Sequence, residues 1–192
     1  MSIETKILTH VGTQKIETER LLLRRFEVAD AEEMFKNWAS DTENCEYMTW
    51  SAHKSIEDTK EFISSVISNY KNKNCYKWMI VLKETNELIG NISADGIDEC
   101  ARRAHLGYII SKKYWGKGFM TEALKSVINY LFEKVNFARI QAWHDIKNPA
   151  SGRVMEKCGM KYEGTLRKYC KNNLGELVDT PFYAIIREEW GN

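Results

Sequence analysis

The chain has 192 residues, of which 43% are hydrophobic and 29% charged, and its formal net charge is +1. This size and composition are typical of one globular domain with its own core, and the charge gives no sign of a nucleic-acid-binding protein. No apolar run approaches the ~20 residues of a membrane span, and residues 1–14 lack the basic-then-apolar layout of a secretory signal.

The sequence contains five cysteines, an odd number, and no two of them form a Cys-x-x-Cys pair. This scatter favours free thiols in a reducing compartment over a disulfide framework or a zinc site. We therefore expect a cytoplasmic protein that holds no metal ion. The cysteines are Cys45, Cys75, Cys100, Cys158 and Cys170.

The first third of the chain predicts a short strand region followed by two helices. A hairpin arm is expected over residues 7–16, and a first strand over residues 21–26. Asp30 is expected to cap a helix, with Glu33 three residues later completing a capping box. A second helix, which begins at its own serine cap, is predicted over residues 55–70.

The middle of the chain predicts three strands, over residues 76–83, 88–94 and 105–110, with a polar loop at 95–103 before the last of them. A long helix follows, because apolar residues recur at helical spacing from Ala123 onwards. These elements bring a strand end and a helix start close together in the sequence.

The last third predicts a strand over residues 139–144, then a short helix that opens at Asn148 and ends at Gly159. Two closing strands are expected over residues 161–166 and 180–186. The resulting order, β-α-α-β-β-β-α-β-α-β-β, predicts an α+β or mixed-sheet domain without repeats or internal boundaries.

The segment from Tyr114 to Leu124 carries the strongest functional signal. Gly116 and Gly118 lie in a tight loop between a strand and a helix start. Glycine lets backbone N–H groups approach an anion, and the helix N-terminus adds a favourable dipole. Three lysines crowd the loop, which suits a polyanionic ligand: Lys112, Lys113 and Lys117.

The glycine loop alone does not decide between a phosphate site and a strand–loop–helix that binds nothing. It is not a Walker loop, because no Gly-Lys-Ser/Thr ends it, and it lacks the third glycine of the dinucleotide fingerprint.

The order of elements, with the glycine loop before the longest helix and Asn-x-x-Ser after the next strand, resembles the GNAT acyltransferase superfamily. The similarity is greatest to the ribosomal-protein-type N-acetyltransferases. Five groups of residues, spread over about residues 16–188, carry the resemblance: Ile16–Arg24, Leu106–Tyr108, Trp115–Gly118 with Thr121–Ala123, Asn148–Ser151 through Glu156–Met160, and Leu177–Asp179 with Tyr183.

The resemblance implies a GNAT-like α+β fold, in which a mixed, mostly antiparallel central sheet with a splayed strand pair is flanked by helices. It implies one N-acetyltransferase domain over residues 16–190, preceded by an N-terminal arm at residues 1–15. It leaves a homodimer open.

The resemblance also implies acetyl-CoA as co-substrate and direct transfer of its acetyl group to an amine. Backbone N–H groups of the glycine loop would bind the pyrophosphate, and Ile109 and Ile110 would pair with the pantetheine arm. Asn148 would bond the arm from the far side, unless it only forms a turn or cap. The implied cofactor-binding residues are Ile109, Ile110, Trp115, Gly116, Lys117, Gly118, Phe119, Met120, Thr121, Asn148 and Ser151.

Many members of the superfamily donate the final proton from a tyrosine in the helix after Asn148, and this chain has Met155 at that position. In the ribosomal-protein type a serine acts instead, which implies a catalytic role for Ser151. The alternative is that Ser151 only caps the helix.

Two histidines are the candidate bases. His105 stands where close relatives place a glutamate, and histidine titrates near neutral pH. His144, next to Asp145, is a second candidate, and the alternative for both is a packed or exposed ring. Trp50, Tyr47 and His105 are expected to line the amine site. Trp38 is expected in the core, and Cys158 as a buried small hydrophobe.

We therefore expect an enzyme that acetylates a primary amine: a protein N-terminal α-amine, a small amine or an aminoglycoside-like compound. Its partners would be acetyl-CoA and the acceptor, without nucleic acid or membrane. The alternative is a non-catalytic CoA-binding or regulatory module on the same fold, for which Met155 is the best support.

Overall fold

The computed structural model describes residues 7–191, and one sheet dominates it. The described residues form eight strands in the spatial order β1-β2-β3-β4-β5-β6-β8-β7. All neighbouring strands are antiparallel except β5 and β6, which are parallel. The strands are β1 Ile16–Glu17, β2 Leu21–Arg24, β3 Tyr76–Leu82, β4 Glu87–Asp98, β5 Arg103–Ile110, β6 Arg139–Trp143, β7 Lys161–Lys171 and β8 Leu177–Ile186.

Four α-helices flank the sheet and bury their apolar faces against it. One core cluster includes Val127 and Ile128 of the third helix, and a second cluster includes Met34 and Ile63 of the first two. The two clusters make this a layered domain with helices on both faces, and the mixed sheet flanked by helices that the resemblance implies is confirmed. The helices are α1 Ala31–Met34, extended by a π-turn at Phe35–Ala39, α2 Ile56–Asn69, α3 Phe119–Tyr130, extended by a π-turn at Leu131–Val135, and α4 Pro149–Lys157.

Strands β5 and β6 pair over only three residues each, Arg103–His105 with Arg139–Gln141. Beyond them the two strands diverge, which confirms the predicted splayed pair and leaves Leu106–Ile110 unpaired on that side. The glycine loop and the start of α3 follow directly from the end of β5. The split in the sheet therefore faces the loop that was predicted to bind phosphate.

The predicted hairpin arm over residues 7–16 is wrong, because only Ile16–Glu17 forms a strand. Instead of pairing with another strand, the backbone carbonyls of this segment accept hydrogen bonds from side chains of other segments. The hydroxyl of Tyr130 donates to the carbonyl of Gly12, Arg25 Nε donates to Thr13, and Trp78 Nε1 donates to Gln14. Of the N-terminal arm predicted at residues 1–15, residues 1–6 lie outside the described residues.

Asp30 is the N-cap residue of α1 as predicted, but the predicted capping box with Glu33 is wrong, since a 3₁₀ turn at Val28–Asp30 precedes the helix and the Asp30 side chain makes no cap bond to it. Asp30 is buried and accepts two hydrogen bonds from the guanidinium of Arg24, at 2.7 and 2.9 Å. Glu33 accepts the backbone N–H of Leu88 at 2.6 Å. A strong charged partner nearby outcompetes a cap. The predicted serine cap of α2 is confirmed, because Ser55 accepts from Asp58 N.

The predicted polar loop over residues 95–103 is shorter than expected, because β4 continues to Asp98 and β5 starts at Arg103. In that extension Asp95 lies opposite His105 across the strand pair. Polar side chains are compatible with a strand whose outer positions face solvent. The closing strands β7 and β8 are likewise longer than predicted.

Candidate active site

A cleft of about 810 Å³ opens where β5 and β6 diverge. It is bounded by β5, the glycine loop, the first turn of α4 and residues 41–50, which we call the front loop. Every residue predicted for the site lines this cleft except Lys117. One concave site of this size, formed by several elements, is the usual form of a small-molecule site.

The glycine loop has the conformation that anion binding requires. Gly116 and Gly118 have φ values of +74° and +80°, which favour glycine, and Gly118 is the N-cap of α3. The first bond of the helix is Glu122 N to Gly118 O, at 3.0 Å. The preceding N–H groups in the first turn lack an intrahelical acceptor. A Cβ on Gly116 would meet no atom within 4 Å, so the loop leaves room for a ligand.

Two of the three lysines near this loop are already paired. Lys112 binds Glu43 and Lys113 binds Glu87, while Lys117 lies 5.3 Å from the ring centroid of Tyr114. The positive charge of the cleft comes instead from Arg153 and Lys157, one turn apart on α4, which make no ion pair among the described residues. This pair was not predicted, although its i,i+4 spacing after Ser151 was the available signal.

The carbonyl oxygen of Ile110 accepts hydrogen bonds from two segments at the entrance of the cleft. It accepts Trp115 Nε1 at 2.9 Å and Asn44 Nδ2 at 3.2 Å, and Asn44 Oδ1 accepts the backbone N–H of Lys112 at 2.7 Å. The carbonyl of Ile109 faces β4 instead, where a Cβ on Gly90 would overlap it. Asn44 was not predicted, because nothing in its neighbourhood in the sequence indicates a partner 66 residues away.

Ser151 lies opposite a tyrosine that the sequence analysis did not assign a role. The hydroxyl of Tyr108, on β5, lies 2.9 Å from Ser151 Oγ and 3.1 Å from the Ser151 carbonyl oxygen. Burial raises the pKa of Tyr108, so its hydroxyl stays protonated. The helix cap is Asn148, whose Oδ1 accepts Ser151 N at 3.3 Å. The Ser151 hydroxyl is therefore not needed as a cap.

His105 lies in the wall of the cleft, with its ring centroid 5.3 Å from that of Trp143. Burial lowers the pKa of His105 to about 4, although Asp95 opposes the shift. The imidazole is therefore neutral near pH 7 and has a free lone pair. Asp95 is itself held by Ser93 Oγ at 2.6 Å and Lys77 Nζ at 2.8 Å.

His144 is packed between the end of β6 and α4. Its Nδ1 lies 2.7 Å from the carbonyl oxygen of Asp145, which can only accept, so Nδ1 carries the proton. A Cβ on Gly152 would lie 2.7 Å from His144 Nε2, so the lone pair on Nε2 faces the helix. His144 therefore has less room than His105 to meet a substrate.

The remaining predicted residues either line the wall of the cleft or lie in the buried core. Tyr47 and Trp50 line the cleft from the front loop. Trp38 is fully buried, which confirms that it belongs to the core. Cys158 is buried as expected, and burial raises the pKa of its thiol to about 12, which rules out a thiolate near neutral pH. Met155 is buried in the main core and does not face the cleft.

A second unpredicted network fixes the start of α3. The carboxylate of Glu122 accepts the hydroxyl of Thr18 at 2.5 Å, and the backbone N–H and Nε of Arg20 at 2.9 and 2.7 Å. Arg20 also donates to the carbonyl of Lys117 and stacks on Phe119. Burial opposes ionisation, but the bonds from Thr18 and Arg20 lower the pKa of Glu122. The network links the β1–β2 turn to the glycine loop.

Within residues 7–191, no group of three or more histidine, cysteine or acidic side chains could hold a metal ion. No helix in the same range is long and apolar enough to cross a membrane. All five cysteines are free thiols.

Comparison with known proteins finds a matching family model and several similar proteins. The family model described as Acetyltransferase (GNAT) domain matches residues 20–161. The Uncharacterized N-acetyltransferase YoaA of Bacillus subtilis (strain 168) is 35% identical over 172 residues, which are 90% of this chain and 96% of that protein. The solved structure of an acetyltransferase (GNAT family) from Bacillus anthracis is 31% identical, with a TM-score of 0.80, and covers 92% of this chain and 100% of that chain.

A second similar structure is that of the microcin C7 self immunity acetyltransferase MccE in complex with acetyl-CoA and AMP. It is 24% identical, with a TM-score of 0.80, and the match covers 88% of this chain and 93% of that chain. Other matches are named as ribosomal-protein acetyltransferases.

Proposed function

Because this chain belongs to the GNAT acetyltransferase family, we propose that it moves the acetyl group of acetyl-CoA directly to a primary amine within a ternary complex. The predicted family, its likeness to ribosomal-protein N-acetyltransferases and the predicted enzyme class are confirmed. The observation that carries the proposal is the cleft itself, which joins the glycine loop, Ser151 and the front loop in one continuous space.

The proposed cofactor end of the cleft is the glycine loop with α4. The free N–H groups before Glu122 would receive the pyrophosphate, and the unpaired Arg153 and Lys157 would receive the remaining phosphate charge. The open space at Gly116 fits this use of the loop. MccE is a structural neighbour with acetyl-CoA bound, which supports the same co-substrate here.

The proposed chemistry requires one proton to leave the amine and one to reach the sulfur. The amine nitrogen bonds the acetyl carbon, the carbon–sulfur bond breaks, the thiolate takes a proton from Ser151 Oγ, and Ser151 regains a proton from solvent as the proton lost by the amine is released there. The hydroxyl of Tyr108, 2.9 Å from Ser151 Oγ, would stabilise the serine oxygen by a hydrogen bond while that oxygen gives up its proton. His105, neutral near pH 7, is the proposed acceptor of the amine proton, directly or through water. His144 is the less accessible alternative.

The alternative of a non-catalytic CoA-binding module loses its main support. Met155 was the argument for it, since it replaces a tyrosine proton donor. The Tyr108–Ser151 pair brings two hydroxyl groups into the same cleft by another route. A hydroxyl donor is therefore available without a tyrosine at position 155, and we favour catalysis.

We propose that the acceptor binds between the front loop and the segment that joins β6 to α4, against Tyr47 and Trp50. A protein N-terminal α-amine needs little help from a base, because its pKa is ~7.7–8.0 in model compounds. We keep small amines as the second class. The five free thiols support the proposed cytoplasmic location.

The experiment that tests the proposal is a thermal-shift titration with acetyl-CoA and free CoA, followed by thiol release across a panel of amines and peptides. We expect a higher melting temperature with either ligand, by mass action, and thiol release with at least one acceptor. A shift without release favours the binding module. No shift at saturating acetyl-CoA contradicts the assigned cofactor site.

Glu122 provides the first test of how the glycine loop is held. Glu122→Gln keeps the shape of the side chain but removes the charge that binds Arg20 and Thr18. We expect the KM for acetyl-CoA to rise about 3- to 10-fold with little change in kcat, because charged hydrogen bonds fix the first turn of α3. Steady-state kinetics at varied acetyl-CoA measures both.

The matched control for this prediction is Glu133→Gln. Glu133 lies in the π-turn after the same helix, is 55% exposed and pairs with Arg187 at 3.5 Å. It should leave the KM for acetyl-CoA unchanged. Equal KM values for Glu122→Gln and the wild type would show that the network does not position the loop.

His105 provides a test in the pH dependence of stability. Its pKa is about 4 when folded and near 6.5 when unfolded, so between these values the unfolded chain binds a proton that the folded chain does not. This component of stability is present above pH 6.5 and is lost as the pH falls towards 4. We expect a smaller loss of Tm between pH 7 and pH 4.5 in His105→Gln than in the wild type. The same loss in both proteins would contradict a buried, neutral His105.

A further inference from the structure

One carboxylate of the cleft differs from all the others. Asp145, the second residue after β6, is 3% exposed, and its Oδ2 is buried without a hydrogen-bond partner. Its Oδ1 accepts only the backbone N–H of Lys147, at 2.8 Å. The other acidic residues of the cleft wall have cationic partners: Asp95 binds Lys77, and Glu43 binds Lys112. A buried carboxylate without a counterion is costly unless a bound cation offsets the cost.

The backbone around Asp145 holds this carboxylate in place. The Asp145 carbonyl accepts from Asn148 N and His144 Nδ1, each at 2.7 Å. The next residue, Ile146, donates its N–H to Asp179 O in the β7–β8 hairpin at 3.1 Å. Neither the strand end nor the first turn of α4 can move without breaking these bonds, so Asp145 is fixed in the cleft wall.

The hairpin joins this wall to the proposed acceptor side. At its tip Asn173 donates its backbone N–H to Met48 O at 3.1 Å and its Nδ2 to Cys45 O at 2.9 Å. Lys147, which also lines the cleft, meets Glu176 of the same tip at 3.6 Å, so the one ammonium near Asp145 in sequence already has a carboxylate partner. The negative charge of Asp145 is left for a ligand that enters the cleft.

A protonated amine is the ligand that matches an unpaired buried carboxylate, because it supplies both charge and N–H donors. The reacting amine cannot be this group, since it must lose its charge to attack the thioester. Building on the proposed acetyl transfer, we infer that Asp145 binds a second ammonium group of the acceptor. The substrate class is then an amine with a further cationic group: an aliphatic diamine, or a peptide whose α-amine is followed by a basic side chain.

The test compares 1,4-diaminobutane with n-butylamine in thiol-release kinetics, for the wild type and for Asp145→Asn. We expect the wild type to prefer the diamine in kcat/KM, and Asp145→Asn to lower that preference about 10-fold or more, the loss expected for a charged hydrogen bond. A second pair, the dipeptides Ala-Lys and Ala-norleucine, distinguishes a peptide source of the ammonium from a free diamine. Equal use of monoamine and diamine by the wild type would overturn the inference.

Two further measurements keep this result separate from the proposed function. Glu176→Gln removes a charge at the exposed hairpin tip and should leave the preference unchanged. Calorimetric binding of the diamine and of n-butylamine to the CoA-loaded protein reads the subsite without turnover. Tighter diamine binding supports the subsite even if the enzyme assay fails, and equal binding overturns it. If Asp145→Asn does not fold, the wild-type comparison alone decides.

Discussion

Replacing Ser151 by alanine is expected to lower kcat about 100-fold while changing the KM for acetyl-CoA little. A positioned general acid contributes about 10²- to 10⁴-fold, and the Ser151 hydroxyl is the proposed proton donor to the departing thiolate. Asn148, not Ser151, caps α4, so the substitution removes the hydroxyl without removing the cap. Steady-state kinetics with the preferred acceptor measures the effect, and kcat within twofold of the wild type would contradict the assigned role.

The hydroxyl of Tyr108, which is hydrogen-bonded to Ser151, allows a second test of this role. Tyr108→Phe removes the group 2.9 Å from Ser151 Oγ and should lower kcat about 10-fold. The double variant should be about as slow as Ser151→Ala alone, because residues that act as a unit are not additive. Ser126→Ala is the matched control, since Ser126 bonds Ala123 O within α3, outside the cleft lining. Additive losses in the double variant would mean that the two hydroxyls act separately.

Replacing Gly90 by alanine is expected to destabilise the protein by about 3 kcal/mol, which lowers Tm by about 6–12 °C in a chain of this size. A Cβ at this position of β4 would overlap the carbonyl oxygen of Ile109 and lie 2.9 Å from Ile110 Cα. Both obstacles are backbone atoms, so only a separation of β4 from β5 relieves the overlap. Differential scanning calorimetry measures the loss.

Gly107→Ala is the matched control in the same pair of strands. Its Cβ would meet only Ser93 Oγ, at 3.7 Å, which is an ordinary contact. It should therefore cost much less stability than Gly90→Ala. Equal losses at the two positions would show that the effect is a general property of glycine in a strand and not the close approach of two backbones.

The sequence predicted what depends on local patterns. The glycine loop and the helix start at Asn148 both lie in the cleft, because each belongs to a segment whose position follows from the order of elements. The wall residues Tyr47 and Trp50 were expected there from the family resemblance. The splayed pair followed from the family resemblance. These features need only short-range spacing and a known topology.

The contacts that were missed join segments far apart in the chain. Glu122 and Thr18 are 104 residues apart, and Asn44 meets Ile110 over 66 residues. Each segment looks locally complete, and no pattern in either indicates its partner. The missing cap bond at Asp30 has a local origin instead, since Arg24 on β2, six residues earlier, binds its carboxylate. At such sites tertiary contacts, and not local propensity, determine the hydrogen-bond partner of the side chain.

The two asparagine anchors of the front loop determine how that loop can move. Asn44 ties it to β5 and to the backbone of Lys112, while Asn173 ties it to the hairpin, with two hydrogen bonds at each anchor. Because the anchors lie on opposite walls, releasing one leaves the loop tethered by the other. Full opening requires both anchors to break, whereas the amide hydrogens of Lys112 and Asn173 each report the release of one anchor. A loop held at both ends opens less readily than one held at a single end, so we expect these anchors to slow any exchange through the proposed acceptor side of the cleft.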